Sequence, residues 1–308
     1  MNAALRDVRL QARCGRSYYD LARNPPSFNF VDHMLVSERW RIAQGLEALE
    51  FVVLPGPLEG FRNDHLPPAG GEERTRWLEN IVLPMPGLLP SCGQPAVLDP
   101  GSTEPGFARG QYLIGFKSLV ESARANCYPL VAPSHLVDAA RRKYGTAYVT
   151  ITHRNVAWWP LRTPNLSEWR KVAAELTADG LTVVMIPEGS KADEPVEGFT
   201  CDSEAGRNCL ARAALYGGAL MNFGIPCGPM WMAWFMGAPC LIARMSDERP
   251  DFINAQLPVN RSPTRAKGLA ASGLAFGQNM PNARPRQLLL WADDTAANVL
   301  RAFERLMR

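Results

Sequence analysis

No apolar run in this sequence approaches the roughly 20 residues that a bilayer-spanning helix needs. The N-terminal residues MNAALRDVRLQARCG are too charged for the apolar block of a secretory leader, so a cytoplasmic location is expected. Charge of one sign is missing too: 33 Lys and Arg stand against 30 Asp and Glu, a net charge of +3. Without a long basic block or aromatics set into a basic stripe, nucleic acid is not an expected partner. The clusters at Arg141, Arg142 and Lys143 and over residues 301–308 read as solvated helix faces, with a peripheral contact to an anionic membrane as the alternative. The seven cysteines, at 14, 92, 127, 201, 209, 227 and 240, contain no C-x-x-C pair. That argues against a disulfide framework and a structural zinc site.

Several nucleotide and hydrolase fingerprints are absent as well. No strand is followed by G-x-G-x-x-G, and G-x-x-x-x-G-K-[ST] does not occur, which argues against a nicotinamide dehydrogenase and a P-loop enzyme. The lack of G-x-S-x-G counts against an α/β-hydrolase. With no H-E-x-x-H and four scattered histidines, no metal-binding residues and no bound cofactor are expected; a carboxylate-held Mg²⁺ stays open.

What is present is apolar and periodic. At 308 residues with 46% hydrophobic and 20% charged content, the chain has room for two domains with real cores. Residues 17–22 and 49–55 read as strands on either side of a helix over 28–44, one βαβ unit. A long Gly- and Pro-rich loop, 56–71, holds Arg62, Asp64 and His65. Helices are expected at 72–81, 111–125 and 134–144, and short strands near 95–98 and 128–131. A domain boundary is placed near Gly145. The second half predicts strands at 147–153 and 181–187 around a helix that a capping box, Asn165 and Glu168, would open. A helix over 205–216, a strand over 287–291 and an amphipathic helix over 294–308 complete it.

The chain is organised around residues 219–245, ALMNFGIPCGPMWMAWFMGAPCLIARM. Two apolar runs of strand length flank a helix-length block, as in a buried βαβ unit. Pro229 suits the first helical turn and Gly237 the helix stop. The turn over 224–228 has few bulky side chains, so a ligand there would meet backbone N–H groups at a helix N-terminus, which suits a diphosphate. A plain buried crossover is the alternative. In parallel sheets ligands sit beyond the carboxyl ends of the strands. The candidate positions are therefore Asp20, the 56–65 loop, His153, Arg154, Arg162, Glu188, Asn222, Cys227, Gly228, Pro229 and Met230. Arg154 and Arg162 are placed to fork onto a diphosphate, with a rim salt bridge as the alternative. Glu188 can accept the two hydroxyls of a ribose, or be a solvated loop acid.

The strand and arginine VTITHR (149–154) and the run ARAALYGGALMNFGIPCGPMWMAWFMGAPCLIA (211–243) carry a family likeness. Here the C-terminal half resembles the nucleotide-sugar domain of GT-B glycosyltransferases, closest in layout to the bacterial heptosyltransferase-like group. VTITHR also resembles the His-x-Arg strand of GT-B fucosyltransferases. In heptosyltransferase-like enzymes a strand enters a turn Asp-Ser/Thr-Gly-Pro-Met-His, then a helix and a Gly-x-Pro strand. Gly228-Pro229-Met230 and Gly237-Ala238-Pro239 match that pattern, while Pro226 stands for the acid and Trp231 for the histidine. The likeness spans about a third of the chain, residues 147–243.

The resemblance implies an α/β fold of two Rossmann-like domains facing a cleft, here an acceptor-side domain over 1–145 and a nucleotide-sugar domain over 146–308. It implies inverting, metal-independent transfer from a nucleotide-sugar co-substrate to a hydroxyl of a glycan acceptor. A carboxylate or histidine of the N-terminal domain would take the acceptor proton: Asp20 first, then Asp64 and His65, with Asp32 and His33 behind them. The other readings are a non-catalytic nucleotide- or glycan-binding module and a nucleotide-sugar hydrolase or epimerase.

Overall fold

In the computed structural model two parallel sheets form where the sequence concentrates apolar and β-branched runs. The structure describes residues 14–21, 24–54, 56, 71–93, 96–97, 116–125, 128–154, 163–188, 194–245 and 272–308. Strand β1 (Cys14–Asp20) and strand β2 (Ala48–Leu54) run in parallel register, Cys14 opposite Ala48 and Asp20 opposite Leu54. Helix α1 (Phe30–Ala43) crosses between them and buries Phe30, Met34 and Leu35. It ends at Gly45, whose φ of 62° is the left-handed stop that glycine adopts without strain. Beyond helix α2 (Gly71–Trp77) come a π-turn over Leu78–Val82 and a 3₁₀ turn over Met85–Leu88. Strand β3 (Ala96–Val97) closes this sheet in the order β1-β2-β3, and helix α3 (Phe116–Arg124) follows.

Helix α4 (Ser134–Tyr144) leads into a six-stranded sheet made of β4 (Tyr148–Arg154), β5 (Thr182–Glu188), β6 (Thr200–Cys201), β7 (Met221–Gly224), β8 (Cys240–Ile242) and β9 (Gln287–Leu289). Every pairing is parallel, in the order β6-β5-β4-β7-β8-β9. Counted from its own first strand this is 3-2-1-4-5-6, the order of doubly wound dinucleotide-binding sheets, and the winding reverses between β4 and β7. Helices cover both faces, so the central strands are buried along nearly their whole length rather than alternating. Helices α5 (Leu166–Ala178) and, at the end of the chain, α9 (Ala296–Met307) cover one face through Trp169, Val172 and Val299. The other face takes α4, α7 (Cys209–Gly218) and α8 (Gly228–Phe235), with the short α6 (Ser203–Arg207) before them. The apolar core on that face runs on into Phe30 and Phe51 of the first sheet. No described helix is long and apolar enough to cross a membrane.

Several local expectations are corrected by long-range contacts. The stretch 128–131 pairs with no strand; Val131 instead donates its N–H to Leu88 O at 2.7 Å. The expected helix over 205–216 is two helices, because Asn208 caps the second with Oδ1 accepting from the N–H groups of Leu210 and Ala211. The capping box at Asn165 and Glu168 does not form. Glu168 accepts the N–H of Ala296 at the start of α9, and Asp294 accepts those of Asn165 (2.8 Å) and of the Trp169 indole (2.9 Å). The two helices thus exchange caps across the sheet face. Helix α4, ahead of the expected boundary at Gly145, packs on α7, and Tyr144 donates to Asp202 at 2.7 Å.

Candidate functional site

The winding reversal brings together the carboxyl ends of β4, β5 and β7. Arg154 is the last residue of β4, and its register partner Glu188 is the last of β5. Along β4, Thr150 and Thr152 bond to Asn222 and Tyr216 on the α7–α8 side, whereas Val149 and Ile151 join the core under α5. The strand period of two therefore sends Arg154 to the α7–α8 side and His153 to the opposite face. The Arg154 guanidinium is half-buried and makes no hydrogen bond or ion pair among the described residues. Its charge reaches Cys227: burial and Glu188 push that thiol up to about 12, against the pull of Arg154. Burial at the helix entrance thus favours the protonated thiol of Cys227.

Glu188 is not a solvated loop acid. It is 7% exposed, and its Oε1 accepts from Nη2 of Arg212 at 3.0 Å. Arg212 is fully buried; its Nε donates to Ala205 O at 2.6 Å and its Nη1 to the Tyr216 hydroxyl at 2.8 Å. Tyr216 in turn shares a hydrogen with Thr152 Oγ1 at 2.7 Å. Burial opposes the charge on Arg212, but Tyr216 and Glu188 outweigh it, and its pKa is raised. The sequence reading missed this arginine. Its signal was there: Cys209, Arg212, Ala213 and Tyr216 lie one turn apart on a single helix face that is otherwise apolar.

The glycine turn after β7 is packed rather than open. A Cβ on Gly224 would lie 2.8 Å from Sδ of Met230, and one on Gly228 would lie 2.7 Å from the backbone carbonyl of Phe28. The Phe28 ring also lies 5.5 Å from the Arg212 guanidinium carbon. The expected amide-lined entrance is therefore covered by the loop between β1 and α1. Pro229 occupies the first turn of α8 as expected, and Met230 is fully buried with Sδ facing Thr152 and Tyr216. Asn222 belongs to the core: its Oδ1 accepts from Thr150, and its Nδ2 donates to the carbonyls of Tyr216 and Pro239. His153 is buried, with no hydrogen-bond partner for Nε2 among the described residues, and burial followed by the charge of Arg170 lowers its pKa. Neither residue joins the switch-point group.

In the first sheet Asp20 stands at the carboxyl end of β1, buried, with its backbone carbonyl accepting from the N–H and Nδ2 of Asn24. Asp64, His65 and Arg162 lie outside the described residues. His33 is a core residue: its Nε2 meets Ser17 Oγ at 3.0 Å, and burial lowers its pKa to about 3. Asp32 is different. Its Oδ1 is buried with no hydrogen-bond partner among the described residues, and burial raises its pKa to about 8. Below that value the folded chain keeps a proton that the unfolded chain releases near pH 4, so this group's contribution to stability falls as pH rises from about 4 to about 8. Asp32→Asn should flatten that decline, leaving the melting temperature near wild type at pH 5 and above it at pH 9. Melting curves across this range check it. Among the described residues no group of three His, Cys, Asp or Glu is placed to hold a metal ion. A cavity of 330 Å³ beside Gly15, Arg16 and Trp40 lies at the amino end of β1, the wrong edge for a ligand in this kind of sheet.

No family model and no curated protein matches the chain. Solved structures do. The chain is similar to glycosyltransferases. One is the glycosyl transferase family 9 protein from Veillonella parvula DSM 2008, at 11% identity and a TM-score of 0.48, over 96% of this chain and 97% of that one. Another is the iron-containing dodecameric glycosyltransferase TibC from enterotoxigenic E. coli H10407, at 14% identity and a TM-score of 0.45, over 96% and 76%. A third is E. coli ADP-heptose lps heptosyltransferase II, at 13% identity and a TM-score of 0.40, over 99% and 78%.

Proposed function

We propose that this chain transfers a sugar from a nucleotide-diphosphate sugar to a hydroxyl of an acceptor glycan, with inversion. The observation that carries the reading is Arg154: an arginine with no hydrogen bond or ion pair among the described residues, at the winding reversal of a 3-2-1-4-5-6 sheet, next to the strand-end acid Glu188. Arg154 forks onto the diphosphate and takes up the charge that develops as the anomeric C–O bond to phosphate breaks, a role that needs no protein-held metal ion. Glu188 accepts the ribose hydroxyls. The residues up to 145 form the acceptor side, where Asp20 takes the acceptor proton as the acceptor oxygen bonds to the anomeric carbon. Asp64, His65 and the perturbed Asp32 are the competing bases, and Arg162 is the second candidate for the diphosphate.

A non-catalytic binding module is the second reading, favoured by Phe28 packed on Gly228 and by Trp231 where the family's turn has histidine. One experiment separates them: the chain is incubated with UDP-, GDP-, ADP- and CMP-sugars, with and without a glycan acceptor. Release of nucleotide only with acceptor supports transfer, release without acceptor supports a hydrolase, and binding without release supports the module. No binding of any nucleotide overturns the site.

A further inference from the structure

Glu188 is gripped from one side. Its Oε1 accepts from Nη2 of Arg212 at 3.0 Å, while its second carboxylate oxygen makes no hydrogen bond among the described residues. The grip is itself anchored at three points: Ala205 O on Nε, the Tyr216 hydroxyl on Nη1, and Thr152 of β4 behind that hydroxyl. A chain of hydrogen bonds thus runs from the central strand through α7 to the carboxylate at the end of the neighbouring strand. No link in it is exposed: Arg212 is 0% and Thr152 2% accessible.

A guanidinium fixed in this way restricts the carboxylate through one hydrogen bond and leaves its second oxygen without a hydrogen bond among the described residues. A carboxylate oxygen accepts only, so the group that suits it is a donor. Of the parts of a nucleoside diphosphate, the ribose hydroxyls and the N–H groups of the base are donors and the phosphates at neutral pH are not; of those donors only a ribose hydroxyl is lost in the 2′-deoxy form. A carboxylate held in one rotamer also discriminates more sharply between one hydroxyl and two than a mobile one, because part of its ordering is already done before the ligand arrives.

We infer that Arg212 is a positioning residue that sets a preference for ribonucleoside over 2′-deoxyribonucleoside diphosphates by fixing Glu188; the inference rests on the nucleotide reading above. Arg212 itself touches no ligand. The role is one of specificity, so it shows in a ratio of affinities and not in affinity alone.

The probes are ADP, GDP, UDP and CDP with their 2′-deoxy counterparts, titrated calorimetrically against the full chain. Wild type should bind its preferred ribonucleotide roughly tenfold more tightly than the deoxy form, the worth of one hydrogen bond to a charged acceptor. Arg212→Lys, which keeps the charge but loses the two-armed hold, should bring the ratio close to one. Glu188→Gln should do the same, and adding Arg212→Lys to Glu188→Gln should change the ratio no further. Tyr216→Phe removes one anchor of Arg212 and should lower the ratio in part, which keeps the inference testable where Arg212→Lys fails to fold. An unchanged ratio in Tyr216→Phe and in a folded Arg212→Lys overturns the inference, as does an equal weakening of both nucleotides. If wild type binds no nucleotide at all, the site reading falls and the inference with it; if it binds with no ribose preference, the inference falls alone.

Discussion

Arg154→Ala is expected to weaken binding of a nucleoside diphosphate by about tenfold to a hundredfold, the worth of charge-assisted hydrogen bonds to phosphate. Its melting temperature should not move, because the guanidinium has no hydrogen bond or ion pair with the described residues. That pairing of results is the diagnostic one: a rim salt bridge would give the opposite, a change in stability without a change in binding. Arg154→Lys should recover only part of the affinity, since an ammonium cannot fork across two phosphate oxygens. Titration of ADP, GDP, UDP and CDP beside thermal melts reads both quantities. Unchanged affinity in Arg154→Ala would remove the residue from the site, and with it the main support for sugar transfer.

The second large effect is on the fold. Asp294 is 3% exposed and caps the start of α5, holds the Trp169 indole, and lies 3.7 Å from Nε of the buried Arg244. Asp294→Ala removes the carboxylate beside the buried Arg244, which still donates to Thr163 O, and uncaps a helix at once, so a loss of about 2 kcal/mol is expected. Asp294→Asn keeps an oxygen for both N–H donors and should cost less. Urea unfolding curves measure both, and a loss under about 1 kcal/mol for the alanine variant would mean that the exchanged caps contribute little.

Much of this architecture was legible in local spacing. The strands 147–153 and 181–187, the helix over 28–44 and the unit over 219–243 all formed near their expected places, because their apolar runs are long and bounded by Gly or Pro. Arg154 and Glu188 stand at paired strand ends, as the apolar runs before them predicted. The misreadings share one cause: a polar side chain's partner is chosen by the tertiary fold. Glu168 looks like a local cap and instead serves a helix that begins 128 residues later. Asn222 looks like a strand-end ligand and instead holds α7 and β8 together. Arg212 reads as one more helical arginine until Glu188 is brought to it from 24 residues earlier. Gly228 reads as room for a phosphate, and that room is taken by Phe28 from the far end of the chain.

The seating of Phe28 on Gly228 has a thermodynamic consequence. On the proposed reading, a diphosphate seated at the start of α8 would meet the Phe28 carbonyl, which packs against Gly228. The apparent dissociation constant would then be the intrinsic one divided by the fraction of molecules whose entrance is uncovered. A substitution that frees the Phe28 ring from Arg212 is then expected to tighten nucleotide binding without adding a contact to the nucleotide.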